Sequence, residues 1–218
     1  MAIVGGSGAG KTWLSEQLAD RLTARSIGRL NSCEDPLVSR VSLDDFYLDR
    51  SHLPSDRRQR INYDHPRSID WRSFYDFLSA CREGQRALQP QYDFTSHCRR
   101  TDPKWCDPKA VLIVDGLWVV SRRAMRRLFD FIIYVECPEP TRLQRRLERD
   151  IAQRNRSEDE IRAQFERTVS PMHERHVAPQ KRWANIIVGA PISDTDVEKI
   201  ADELARAAGL CNSICSVV

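Results

Sequence analysis

Ala2-Ile3-Val4-Gly5-Gly6-Ser7-Gly8-Ala9-Gly10-Lys11-Thr12 decides the fold, because an apolar run passes straight into a glycine-rich turn that ends in Lys-Thr. From Gly5 the stretch fits GxxxxGK[ST], and it lies between an apolar strand and a helix, the context that pattern requires. Small residues let successive backbone N–H groups converge on phosphate oxygens at a helix N-terminus. Lys11 adds a point charge, and the Thr12 hydroxyl is placed to ligate Mg²⁺. The helix that follows, from about Lys11 to Thr23, carries Leu14, Leu18 and Leu22 on one face. The chain has no NKxD sequence and nothing like a DxxG switch, so a guanine-nucleotide switch protein is excluded.

Outward from the loop, the elements alternate as in an α/β protein. Pro36 to Leu43 reads as a second strand, Asp44 to Arg67 as a polar and aromatic loop. Ser68 is placed to cap a helix whose stripe is Ile69, Phe74, Phe77, Leu78 and Cys81, stopped by Gly84. Ala110 to Val114 and Phe131 to Val135 are continuous apolar runs of the kind that parallel strands buried on both faces need. A last short strand is expected at Asn185 to Val188. Helices are expected near Arg122 to Leu128, Pro140 to Ala152, Glu158 to Thr168 and Asp194 to Ala208, and the tail from Gly209 reads as frayed.

The 218 residues fit one domain, 1–218, and suffice to bury a core without disulfides or structural metal. With 41% hydrophobic and 30% charged residues, the composition is globular and excludes fibrous and disordered classes. A net charge of +3 is too balanced for wholesale nucleic-acid binding, and no apolar run is long enough to span a bilayer. Only five of the 34 basic residues are Lys, so the cations are mostly Arg, whose planar fork suits phosphate. Seven Cys with no CxxC pair fit reduced thiols, and the expected location is the cytoplasm.

Asp44 and Asp45 stand at the C-terminal end of the second strand, the edge where open α/β sheets hold ligands. A carboxylate there can take the proton of an acceptor hydroxyl, and either Asp can equally cap a turn. Next come Asn62-Tyr63-Asp64-His65-Pro66, then Pro90-Gln91-Tyr92-Asp93-Phe94-Thr95-Ser96-His97, then Val114-Asp115-Gly116-Leu117. In order and spacing, over roughly residues 2 to 190, this set resembles the uridine/cytidine kinases of the phosphoribulokinase/uridine kinase superfamily.

The resemblance implies a three-layer P-loop fold: a central, mostly parallel sheet flanked by helices, with a small Arg-rich lid at about 142–158. It implies transfer of the ATP γ-phosphoryl group to the 5′-hydroxyl of a pyrimidine ribonucleoside, with Mg²⁺. By the same resemblance Asp44 is the catalytic base and Asp64 holds the ribose hydroxyls. Tyr63, Tyr92, Phe94 and His97 then line the base pocket, and Asp115 joins Thr12 at the metal, at a position where the family more often has Glu. Gly5, Gly6, Ser7, Gly8, Ala9, Gly10, Lys11 and Thr12 cradle the nucleotide.

Six Arg and two acids occupy Arg142 to Arg156, with Arg142, Arg145, Arg146 and Arg149 on one helix side. Such a run is ordinarily a solvated face, but it is similar to the family's lid segment. The resemblance sends Arg146 to the ribose or the transferring phosphate, Arg149 and Arg154 to the ATP phosphates, and Arg156, with Gln164, to the nucleoside. Asn155 replaces the family's Gly. His173 and His176, three apart, lack the further ligands that zinc needs. Two other readings stay open: a related kinase acting on a sugar phosphate or pantothenate, with Arg57 to Arg60 binding the anionic acceptor, and a nucleotide-binding regulator without catalysis. The expected partner is a small-molecule nucleoside; a homo-oligomer is left open.

Overall fold

The computed structural model describes residues 1–27, 37–154 and 156–207; the side chains at 26, 27, 153 and 154 are not described. The expectations at Pro36, at Asn155 and for the tail from Ala208 lie outside these residues.

In chain order, β1 (Ala2–Gly5) enters the glycine loop and α1 (Lys11–Ile27), and β2 (Val38–Ser42) ends in a 3₁₀ turn, Leu43–Phe46. After α2 (Ser55–Gln59) and α3 (Trp71–Arg82) come four short strands, β3 (Ala87–Gln89), β4 (Tyr92–Asp93), β5 (Cys98–Arg99) and β6 (Lys104–Cys106). Then follow β7 (Val111–Gly116), α4 (Arg123–Arg126), β8 (Ile132–Glu136), α5 (Glu139–Arg154), α6 (Glu158–Gln164), α7 (Ser170–Met172), β9 (Ile186–Gly189) and α8 (Asp194–Ala207). The main sheet has the order β2-β7-β1-β8-β9, and every pairing in it is parallel.

Alternate residues of the central strands face opposite layers, which is why those strands read as unbroken apolar runs. Ile3, Ile113 and Ile133 pack under α1 and α8 with Leu14, Leu18, Leu22, Ile200 and Leu204. Ala2, Val4, Val114 and Tyr134 face Phe46, Phe74, Phe77 and Trp118 on the other side. The result is a three-layer α/β fold.

Three details differ from the sequence reading. The cap of α3 is Asp70, whose side chain accepts from Ser73 N–H. Ser68 donates its hydroxyl to Asn62 O, and Ile69 sits outside the helix in a bridge to Tyr47. The stretch 44–67, read as loop, holds the 3₁₀ turn and α2, and residues 87–106 form two small antiparallel ladders.

The strand ends lie in register: Ile3 and Ser42 both pair with Asp115. At Gly116 an added Cβ would lie 2.5 Å from Leu43 Cβ and 3.1 Å from Val119 Cγ2, so β7 and the 3₁₀ turn meet only because position 116 has no side chain. Gly116→Ala is expected to cost roughly 1–3 kcal/mol of stability in denaturant unfolding, the usual range for overpacking, because Leu43 must move.

Candidate active site

Gly8 and Gly10 adopt φ of +79° and +100°, so the loop curls as L side chains rarely allow. Inside the curl Lys11 Nζ donates to Gly6 O at 3.0 Å, and Ala9 N–H donates to the same carbonyl at 3.1 Å. Burial lowers the Lys11 pKa, while Asp115 and then Asp44 oppose the shift. Thr12 donates its hydroxyl to Asp115 Oδ2 at 3.1 Å. Burial, and secondarily the charge of Asp44, raises the Asp115 pKa to about 6 despite Lys11. Ser42 Oγ accepts from Asp44 N–H, fixing the turn that carries Asp44 off the end of β2. Asp44, Lys11, Thr12 and Asp115 therefore meet above the sheet edge.

Asp45 does a different job. It accepts from Gln89 Nε2 at 2.8 Å and from Tyr92 N–H at 3.4 Å, so it anchors the small ladders and leaves Asp44 as the acid beside the loop.

Asp64, 9% exposed, forms the opposite wall. Its Oδ2 accepts from Gln164 Nε2 at 3.1 Å and Thr168 Oγ1 at 3.2 Å, and its Oδ1 lies 3.8 Å from Arg146 Nη1. Gln164 Oε1 in turn accepts from Arg146 and Arg156. Arg146 also donates to Ser7 Oγ at 3.1 Å, which ties this wall to the loop. Asp64, Arg146, Arg156 and Gln164, remote in sequence, thus share one network. Its hub went unassigned in the sequence: Asp150, fully buried, approaches Arg146, Arg149 and Arg156 at 3.4, 2.8 and 3.8 Å. Only its position among the lid arginines hinted at this.

The four expected pocket aromatics also come together. Tyr63 and His97 stack on each other, centroids 4.3 Å apart, and Tyr92 meets Phe94 edge to face. His97 has φ 55°, the left-handed region that His, with Asn and Asp, enters more readily than other side chains do. Buried Tyr47, which sequence reasoning left without a role, lies against Tyr63, Tyr92 and Phe94, and its hydroxyl donates to Tyr63 O at 3.1 Å. Burial raises its pKa, and Asp44 and then Asp64 push the same way, so Tyr47 lies within electrostatic reach of both acids.

The expected lid at 142–158 divides. Arg145 donates to Gly8 O and Ala9 O, and Arg142, 2% exposed, packs under Gly6 and Gly8, so the first turns of α5 are a fixed wall of the loop. Arg149 is held on Asp150, and the Arg154 side chain lies outside the described residues. His173 touches Gly6, whereas His176 turns away to His65 at 5.1 Å; these two do not converge on one point.

No three acidic, His or Cys side chains among the described residues cluster as a metal cage. Mg²⁺ does not need one here, since it is held by one or two protein oxygens plus substrate phosphates. The Thr12 hydroxyl and the Asp115 carboxylate, in contact beside the phosphate loop, are hard oxygen donors that fit it.

Residues 1–198 match the model of the Phosphoribulokinase / Uridine kinase family. The chain belongs to that family. It is 34% identical over 188 residues to the uridine kinase of Halobacterium salinarum, covering 86% of this chain and 78% of that one. It is 32% identical over 194 residues to the uridine kinase of Streptococcus agalactiae, covering 89% and 88%. Phosphoribulokinase from Rhodobacter spheroides shares the fold at TM-score 0.60 and 16% identity, over 86% of this chain and 69% of that one.

With a folded-state pKa of about 6 against an ordinary 3.8, ionised Asp115 opposes folding, and this site contributes most stability below about pH 4 and loses it as pH rises through 6. Asp115→Asn is expected to raise Tm of the ligand-free protein at about pH 8, a gain that shrinks toward about pH 5, while phosphoryl transfer falls about 10²-fold or more. Thermal scans across pH, set beside turnover, check both halves.

Proposed function

We propose that the protein transfers the γ-phosphoryl group of ATP to the 5′-hydroxyl of a pyrimidine ribonucleoside, uridine or cytidine. What carries the reading is the placement of Asp44 within electrostatic reach of Lys11 and Asp115, on the rim between the phosphate loop and Tyr47. The curated relatives' names supply the acceptor class.

In this reading the acceptor oxygen bonds to the γ-phosphorus as the bond to the β-bridging oxygen breaks, its proton passes to Asp44, and ADP leaves. Lys11 and Arg146 meet the charge on the transferring group, and Arg149 and Arg154 close on the phosphates. Asp64 accepts from the vicinal ribose hydroxyls, which selects ribose over deoxyribose. Arg156 and Gln164 steady Asp64, and Tyr63, Tyr92, Phe94 and His97 take the base once the Tyr63–His97 stack opens. Thr12 and Asp115 would hold Mg²⁺, which would supply charge neutralisation at the phosphates. The chain acts as one domain in the cytoplasm, with the Arg-rich segment at about 142–158 as its lid; no described helix is long and apolar enough to cross a membrane.

A phosphorylated acceptor fits less well. Of the arginines available to bind it, Arg57 and Arg60 are exposed, and Arg58 is spent on Ser96 O and Leu53 O.

ADP release assayed with uridine, cytidine, ribulose 5-phosphate and pantothenate is expected to show turnover with the nucleosides alone. Turnover with only the phosphorylated sugar, or with no acceptor while ATP binds, would replace this reading by the sugar-phosphate kinase or the inactive regulator. Asp44→Asn is expected to bind ATP normally and to lose about 10²-fold or more in kcat, the scale of a lost general base. Normal turnover by that variant would remove Asp44 from the chemistry.

A further inference from the structure

The glycine loop leans on α5 more tightly than phosphate binding alone requires. A Cβ at Gly8 would lie 2.5 Å from Arg142 O, and one at Gly6 would lie 2.7 Å from Arg142 Cδ and 2.9 Å from His173 Nδ1. Those glycines therefore admit the helix as well as an anion. One turn along the same face, Arg145 Nη1 donates to Gly8 O at 3.4 Å and Ala9 O at 3.3 Å, and stands 3.6 Å from where a Cβ at Gly10 would be.

A trans peptide unit is planar, with its C=O and N–H pointing opposite ways. A carbonyl of Ala9 held toward α5 therefore turns Gly10 N–H away from that helix. The N–H of Ala9 is already given to Gly6 O at 3.1 Å, so Ala9 itself has no N–H to offer a ligand.

We propose that Arg145 is a positioning residue for the nucleotide: its guanidinium holds the Ala9–Gly10 peptide with the carbonyl outward and the N–H inward, before any phosphate arrives. The proposal rests on the reading of the loop as a triphosphate site. Arg145 is a guanidinium doing for the loop what oriented dipoles do in a preorganised oxyanion site, and it lowers the cost of ordering the backbone on binding.

The side chain is half-buried, so its replacement leaves the core intact. In the full chain, Arg145→Met and Arg145→Lys are compared with the parent protein by calorimetric titration with MgATP, by steady-state kinetics and by amide resonances of the nucleotide-free protein. In the Met variant the Kd for MgATP is expected to rise about tenfold, the scale of a charge-assisted hydrogen bond. At saturating ATP, kcat and the acceptor KM are expected to stay within about threefold, because neither Asp44 nor the acceptor wall is touched. The Lys variant, keeping the charge but not the fork, falls between.

The Gly10 amide resonance is expected to shift in the Met variant while the amides of β9 do not. An unchanged Kd overturns the proposal. So does a weakened Kd with an unmoved Gly10 amide, which would mean that Arg145 touches the nucleotide itself. If the parent protein bound no MgATP, the triphosphate reading would fall first; the amide shift, measured without nucleotide, keeps the two failures apart.

Discussion

A half-buried ammonium between two carboxylates, Lys11 with Asp115 and Asp44, is the constraint on which the rest depends. Burial works against charging both Lys11 and Asp115, and each is kept partly in place by the other. Asp44 and Asp115 repel one another across this site, and Lys11 offsets that repulsion. The surrounding fold holds these groups in place: β1 and β2 flank β7, and Ser42 and Ile3 pair with Asp115 across its end. Stability is given up at the point where chemistry needs it, a familiar trade at functional sites.

A second cationic layer stands around the first. Arg142, Arg145 and Arg146 come from one helix side and reach Gly6, Gly8, Ala9 and Ser7, while Asp150 gathers Arg146, Arg149 and Arg156. With Asp64 joined to the same network through Gln164 and Arg146, and Arg146 bonded to Ser7, the Asp64 wall and the glycine loop are hydrogen-bonded into one unit.

The glycine loop, the buried strands and the acids at the strand ends were legible because each is written in contiguous residues with a fixed period or spacing. The Leu14, Leu18, Leu22 stripe and the run Val111 to Val114 needed no partner to be read. What depended on docking between distant segments was not legible. Asp150 looked like one more charge on a solvated helix until α5 was seated on the loop, and Arg145 gained its contacts only from that seating. Ser68 and Asp70 are both competent caps; the Tyr47–Ile69 bridge, which ends the extended chain at Ile69, decided for Asp70. The ladders between Ala87 and Cys106 are two or three residues long, too short for alternation to show. The aromatics expected to line a pocket do lie together, but nothing in their sequence showed that Tyr63 and His97 would stack on one another.

The most direct measurement is a crystal structure with Mg²⁺, a non-hydrolysable ATP analogue and uridine bound together. The account expects the uridine 5′-oxygen within hydrogen-bond distance of an Asp44 carboxylate oxygen and in line with the γ-phosphorus, with both ribose hydroxyls on Asp64. A 5′-oxygen held by some other group, with Asp44 turned from the γ-phosphate, would contradict it.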